Sequence, residues 1–169
     1  MTVLGLKPRN HPQQVGKRGA KDDVDTRITP RALWIQLHHE FGFTLDVAAS
    51  VENRKVPAFF DIETNGLEQS WAGHRVWCNP PFSDIESWVS KAWKEFEAGC
   101  DLIVMLVPSN RTEQPWWHRS IEPHRDRRGP IETRFLPGRF DFHASKEQMD
   151  RRTSNRPPFG CVILIWKRP

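Results

Sequence analysis

The stretch "RVWCNPPFSDIESWVSKAWKEFEAGCDLIVMLVPS", residues 75–109, contains a complete strand–helix–strand unit. Val76-Trp77-Cys78 reads as a buried strand that must stop at Asn79-Pro80-Pro81, because proline has no N–H to give a sheet ladder. Ser83 to Ala98 follows as a helix. Ser83 and Glu86 have the spacing of a capping box, Ile85, Val89, Ala92, Trp93 and Phe96 form one apolar face, and Gly99 supplies the stop. "DLIVMLVPS" (101–109) is a continuous apolar run of strand length, suited to the middle of a parallel sheet. Strands alternating with helices imply an α/β sheet, which binds ligands at the carboxyl ends of its strands.

Working outward from this unit, Thr29-Pro30 predicts a helix start, with Thr29 as N-cap and Pro30 at the first helical position. Leu33, Trp34, Leu37 and Phe41 follow at helical spacing and Gly42 closes the helix. "FTLDVAA" (43–49) predicts a strand, and "VPAFFD" (56–61) a second short one. Three strand ends in the first half therefore carry Asp46, Asp61 and Asn79. Downstream, "IETRFLPGRFDF" (131–142) and "CVILIWK" (161–167) read as strands, separated by a polar loop, 143–160, that holds Arg151, Arg152 and Arg156. There is no internal repeat.

The chain of 169 residues, 37% hydrophobic, is long enough for one domain with a real core. Residues 1–27 read as a flexible basic tail and 28–169 as the domain. The formal charge of +4 does not by itself establish nucleic-acid binding, but basic residues concentrate in the tail and at 119–128. The three cysteines form no CxxC pair, which predicts a reduced, cytosolic protein with neither a zinc site nor a disulfide framework. No apolar run is long enough to span a membrane, and the first residues lack the apolar core of a signal peptide.

The strip Asn79-Pro80-Pro81-Phe82 has the chemistry of a device for an exocyclic amino group. Such an amine is a poor nucleophile, because its lone pair is delocalised into the ring. The Asn79 side-chain oxygen and the Pro80 carbonyl can each accept one N–H and favour the tetrahedral nitrogen formed during attack. Phe82 can stack on the ring, and Pro81 fixes the geometry between the two functions.

In these residues the chain resembles the S-adenosylmethionine-dependent DNA N6-adenine methyltransferases, and within them the small phage-encoded group. The likeness rests on "TPRALWIQLHHEFGFTLDVAAS", "GLEQSWAGHRVWCNPPFSDIESWVSKA" and "LVPSNRTEQPWWH", with "FLPGRFDF" and "PPFGCVILIW" in support, and covers roughly residues 28–166. It implies a Rossmann-like class I methyltransferase fold in one domain, a trimmed mixed sheet flanked by helices, and S-adenosyl-L-methionine as cofactor. It further implies that Asp46 and Ala48, with Thr29 and Pro30, lie beside the methionine part of the cofactor. By the same likeness Asp61 holds the ribose, with Glu63 as its alternative, Leu67 lies near the adenine, and Asn79 to Phe82 form the catalytic strip, with Asn79 also in contact with the cofactor.

The departures from the family pattern are specific. "DVAAS" replaces a glycine-rich loop after the first strand, and Phe82 stands where tyrosine is commoner. The interval from Asp61 to Val76 is short, which implies the trimmed sheet. With no separate target-recognition domain, DNA reading falls to loops 109–130 and 143–160. Phe82, Arg111, Trp116, Arg125, Arg127 and Arg139 are the candidate DNA contacts, and a metal is not required. The alternatives are an amino-group methyltransferase acting on RNA guanine or protein glutamine, or an idle DNA-binding module.

Overall fold

The computed structural model describes residues 28–138 and 159–168. Among them, helix α1 spans Arg31–Phe41, strand β1 Leu45–Asp46, β2 Arg75–Cys78, α2 Ile85–Glu97, β3 Leu102–Pro108, α3 Pro115–Ser120, β4 Ile131–Phe135 and β5 Cys161–Lys167. Short 3-10 turns at Ser109–Arg111, Glu122–His124 and Asp126–Arg128 follow β3 and α3.

The sheet is mixed, in the order β1-β2-β3-β5-β4. β1, β2 and β3 run parallel, whereas β5 is antiparallel to both β3 and β4. The β3–β5 ladder runs from Leu102 opposite Lys167 to Pro108 opposite Cys161, and Leu102–Val107 and Cys161–Trp166 are buried throughout. A strand buried on both faces needs an unbroken apolar run, and these two segments supply it. Each such side chain contributes about 1.5–3 kcal/mol by leaving water.

Register also assigns the helices to faces. Paired residues share a face, so Trp77, Val104 and Ile165 point one way, and Val76, Ile103 and Trp166 the other. Trp34 of α1 meets Trp77 edge-on at 5.7 Å between ring centroids. Trp93 of α2 meets Trp166 at 6.1 Å. The two helices therefore cover opposite faces of the sheet.

Several expected boundaries move. The segment 56–61 lies beside β1, with Phe60 N–H donating to the Asp46 carbonyl at 2.8 Å, but forms only an isolated bridge, Asp46 to Phe59. Before Asp46 the Thr44 N–H donates to the Arg75 carbonyl at 2.8 Å rather than to this segment, so the ladder goes no further. The strand expected over 131–142 ends at Phe135, ahead of Pro137. Helix α1 takes Pro30 as its N-cap residue rather than Thr29, while Gly42 closes it at φ 60°, as expected. The capping box of Ser83 and Glu86 does not form: α2 starts at Ile85 after Asp84, which accepts from the Ser87 hydroxyl at 2.7 Å. Glu86 turns instead to Arg119 of α3. Trp34 and Trp93 are half-buried at the edge of the core, and Trp88 and Glu95 join the buried face of α2.

Candidate active site

Parallel pairing brings the carboxyl ends of β1, β2 and β3 to one edge of the sheet, carrying Asp46, Asn79 and the turn Ser109–Arg111. A small open cleft at this edge is lined by Ile28, Thr29, Asp46, Ala48, Asn53, Lys55, Trp77 and Asn79. Four of the residues expected to bind the cofactor, Thr29, Asp46, Ala48 and Asn79, meet here from separate parts of the chain.

Asp46 is only 2% exposed. Its Oδ2 accepts the backbone N–H of Lys55 at 3.0 Å, and its Oδ1 takes a longer contact, 3.5 Å, from the N–H of Ala48. Burial pushes its carboxyl up to about 6, even though both amides and the Lys55 charge favour ionisation. Burial, with a lesser push from the same carboxylate, raises the neighbouring Cys78 thiol. The Lys55 ammonium is half-buried, donates to the Thr29 carbonyl at 3.1 Å, and is depressed by desolvation against the pull of Asp46. Thr29 is 1% exposed, and its Oγ1 has no hydrogen-bond partner among the described residues.

Lys55 and Asn53 were not legible as site residues. Asn53 accepts the Ser50 N–H at 2.7 Å and shapes the turn between β1 and the segment beside it. In sequence, "SVENRK" has the polar composition of any solvated turn.

The remaining expected cofactor contacts do not line the cleft. Pro30 caps α1. Asp61 organises its own turn: Oδ1 accepts the N–H of Glu63 at 3.1 Å and of Thr64 at 2.9 Å, with the Thr64 hydroxyl at 2.8 Å. These bonds hold its carboxyl below the ordinary value. Leu67 packs against the core.

In the strip itself, Asn79 and Pro81 are half-buried and Pro80 is buried. Pro81 turns the chain by accepting the Asp84 N–H at 3.1 Å. Phe82 is 5% exposed, tilted against Phe159 with ring centroids 6.0 Å apart. It forms part of an apolar wall rather than a displayed plate.

Two of the expected DNA contacts have partners within the chain. Trp116 is buried at 6% exposure and packs edge-on against the buried Trp117, because α3 turns both rings inward. Arg125 is engaged internally, its Nε 2.8 Å from Glu122 and its Nη1 2.8 Å from Asp126. Arg111 lies half-buried on the same edge as Asn79, and its Nε lacks a partner among the described residues. Arg127 is exposed. Arg139, the arginines of 143–160 and the tail 1–27 lie outside the described residues. Among the described residues the three cysteines are buried and unbridged, no His, Cys, Asp and Glu group is arranged to hold a metal ion, and no helix is long and apolar enough to cross a membrane.

The chain is thus an α/β protein with a mixed sheet, a charged cleft at the carboxyl ends of its parallel strands, and an Asn-Pro-Pro-Phe strip on the rim of that cleft. The family described as DNA N-6-adenine-methyltransferase matches residues 17–169, and the chain belongs to that family. It is 36% identical over 90 residues to a DNA N-6-adenine-methyltransferase of Escherichia phage T1, covering 52% of this chain and 38% of that one. It is 33% identical over 92 residues to the protein of the same description from Haemophilus phage HP1 (strain HP1c1), covering 52% and 51%. The matched region spans about half the length of these relatives or less.

Proposed function

We propose that this protein is a class I, Rossmann-like methyltransferase that uses S-adenosyl-L-methionine to methylate N6 of adenine in DNA, within the cytoplasm of a bacterial host. The observation that carries this reading is the convergence of Asn79-Pro80-Pro81-Phe82 with Thr29, Asp46 and Ala48 at one sheet edge.

The cleft suits the amino-acid end of the cofactor. Asp46 provides a buried acceptor for an ammonium group, and the unpartnered Thr29 Oγ1 provides a further hydrogen-bonding position on the same wall. S-adenosyl-L-methionine supplies the electrophilic methyl group; the chain supplies position and fixed dipoles. In this reading the Asn79 amide oxygen and the Pro80 carbonyl accept the two N–H bonds of the adenine amine. They hold its nitrogen in line for attack and stabilise the positive charge that develops on it. The departing proton passes to solvent after methyl transfer, so no side chain of unusual basicity is needed. Phe82 and Phe159 form the apolar wall against which an extruded base packs. Arg111 and Arg127 are the candidates for phosphate contact.

The test is methyl transfer from labelled cofactor with unmethylated duplex DNA, RNA and protein each offered as acceptor, followed by nucleoside and amino-acid analysis, in wild type and Asn79→Ala. Label in N6-methyladenine, lost in the variant, supports the reading. Label in RNA guanine or in a protein glutamine keeps the class of reaction and replaces the substrate. Absence of both transfer and cofactor binding leaves a DNA-binding module.

A further inference from the structure

We propose that Lys55 is a cofactor-binding residue that reads a carboxylate, so that Lys55 and Asp46 together recognise the α-amino-acid end of the nucleoside cofactor. The inference rests on the methyltransferase reading and assigns within it a residue that the family motifs leave without a role.

Among the described residues lining the cleft, Asp46 is the anion and Lys55 the cation. They are neighbours through the chain, since the Lys55 N–H holds the Asp46 carboxylate, yet the two side-chain charges do not pair with each other. The ammonium reaches across instead to the main-chain carbonyl of Thr29 at 3.1 Å. The two opposite charges attract each other without a direct ion pair, so each is only partly compensated, because partial burial removes hydration that a neutral carbonyl only partly replaces. Desolvation accordingly disfavours the charged form of each, raising Asp46 and lowering Lys55.

A ligand carrying an ammonium and a carboxylate on one carbon relieves both. Its ammonium supplies Asp46 with a counter-charge, and its carboxylate does the same for Lys55. Thr29 Oγ1, 1% exposed and without a partner among the described residues, lines the same cleft and provides a hydroxyl donor beside the Lys55 contact. The attachment of Lys55 to Thr29 then has a second consequence. A residue that binds the carboxylate also ties the segment before α1 to the corner after β1, across the amino-acid end of the ligand.

The test compares binding of S-adenosylhomocysteine with binding of its decarboxylated analogue by calorimetry, in wild type, Lys55→Met and Lys55→Arg. Wild type is expected to favour the carboxylate-bearing ligand by roughly 10-fold or more, the discrimination typical of a hydrogen bond between charged groups. Lys55→Met is expected to lose most of that preference, keeping only what the Thr29 hydroxyl supplies, and Lys55→Arg to recover it. The preference is a ratio within each variant, so a general loosening of the fold cancels. Retention of the full preference in Lys55→Met overturns the assignment and leaves Lys55 as a structural tie to Thr29; so does its absence from wild type. Failure of wild type to bind either ligand is a different result, which overturns the cofactor reading itself.

Discussion

Gly66 lies against the carbonyl of Val47: a Cβ built on Gly66 falls 2.1 Å from that oxygen and 3.2 Å from the Trp88 ring. Val47 is the residue between Asp46 and Ala48 in the candidate cofactor loop. The loop that follows Asp61 is therefore packed directly onto the end of β1, and Trp71 Nε1 fastens it by donating to the Gly66 carbonyl at 2.9 Å. Absence of a side chain at position 66 is a steric requirement of the site.

Gly66→Ala is accordingly expected to destabilise the fold by about 1–3 kcal/mol, the usual cost of overpacking, since backbone has to move to make room. Urea denaturation measures it. S-adenosylhomocysteine binding should weaken in the same variant, because the atom displaced belongs to the Asp46–Ala48 loop.

Asp46 gives a pH signature. Its carboxyl is raised from 3.8 to about 6 by burial, so the folded state retains a proton that the unfolded chain releases earlier. Its contribution to stability is thus fully present below about pH 4 and is lost as pH rises through 6. Asp46→Asn keeps an acceptor for the Lys55 N–H and does not titrate. Its stability relative to wild type should rise by on the order of 3 kcal/mol between pH 4 and pH 7, taking 1.36 kcal/mol per pH unit. Denaturation midpoints across that range check the sign; a gap between the two proteins that does not widen with pH refutes it. Cofactor binding should move the other way, weaker in Asp46→Asn, as the ammonium partner is gone.

Asn79 tests the catalytic strip. Asn79→Ala should lower the rate of methyl transfer by roughly 10²–10³-fold, the loss typical of removing one fixed dipole from a site of charge development. Binding of S-adenosylhomocysteine should fall much less than the rate does. Phe82→Tyr should remain active, since the ring and its packing on Phe159 are kept. Phe82→Ala is a poorer probe, because Phe82 is buried and its truncation costs about 3–5 kcal/mol of stability.

The arginines separate by their partners. Arg111→Ala should weaken DNA binding and reduce the salt slope by about one, as expected for loss of a phosphate contact. Arg125→Ala should leave that slope unchanged, because its guanidinium is occupied by Glu122 and Asp126. Binding measured at several salt concentrations distinguishes the two. An equal fall in slope for both variants would show that Arg125 leaves its internal partners when DNA binds.

Glu95 holds the Trp71 that fastens the Gly66 loop. Its carboxylate, 8% exposed, accepts from Lys91 at 2.6 Å and from the Trp71 N–H at 2.7 Å. Burial alone pushes this group up, but the Lys91 and Trp71 hydrogen bonds outweigh it and hold the carboxyl below its ordinary value. The stability it contributes is present at neutral pH and lost as pH falls through the folded-state value. Glu95→Ala leaves Lys91 without its partner and is expected to cost about 3–5 kcal/mol, the range for breaking a buried pair. Thermal and urea melts at neutral pH measure this.

Local chemistry made much of this protein legible from sequence. The run Leu102–Pro108 could only be a strand buried on both faces, Gly42 had to end α1, and Asn79-Pro80-Pro81 had to end β2. Binary pattern also put Asp46 and Asn79 at strand ends, because a strand reveals its terminus where apolar residues give way to a polar or rigid one. Tertiary structure decided what depends on residues distant in the chain. Glu86 abandoned a good local capping partner for Arg119, thirty-three positions away, and Thr44 bonded to Arg75, which left the segment beside β1 short of a strand. Trp116 and Arg125 carried the composition of a nucleic-acid loop yet turned to the core and to Glu122. Lys55 had no sequence signal at all. A lysine in a polar turn is ordinarily solvated, and only the meeting of that turn with Thr29, twenty-six residues earlier, withdraws its charge from water beside Asp46.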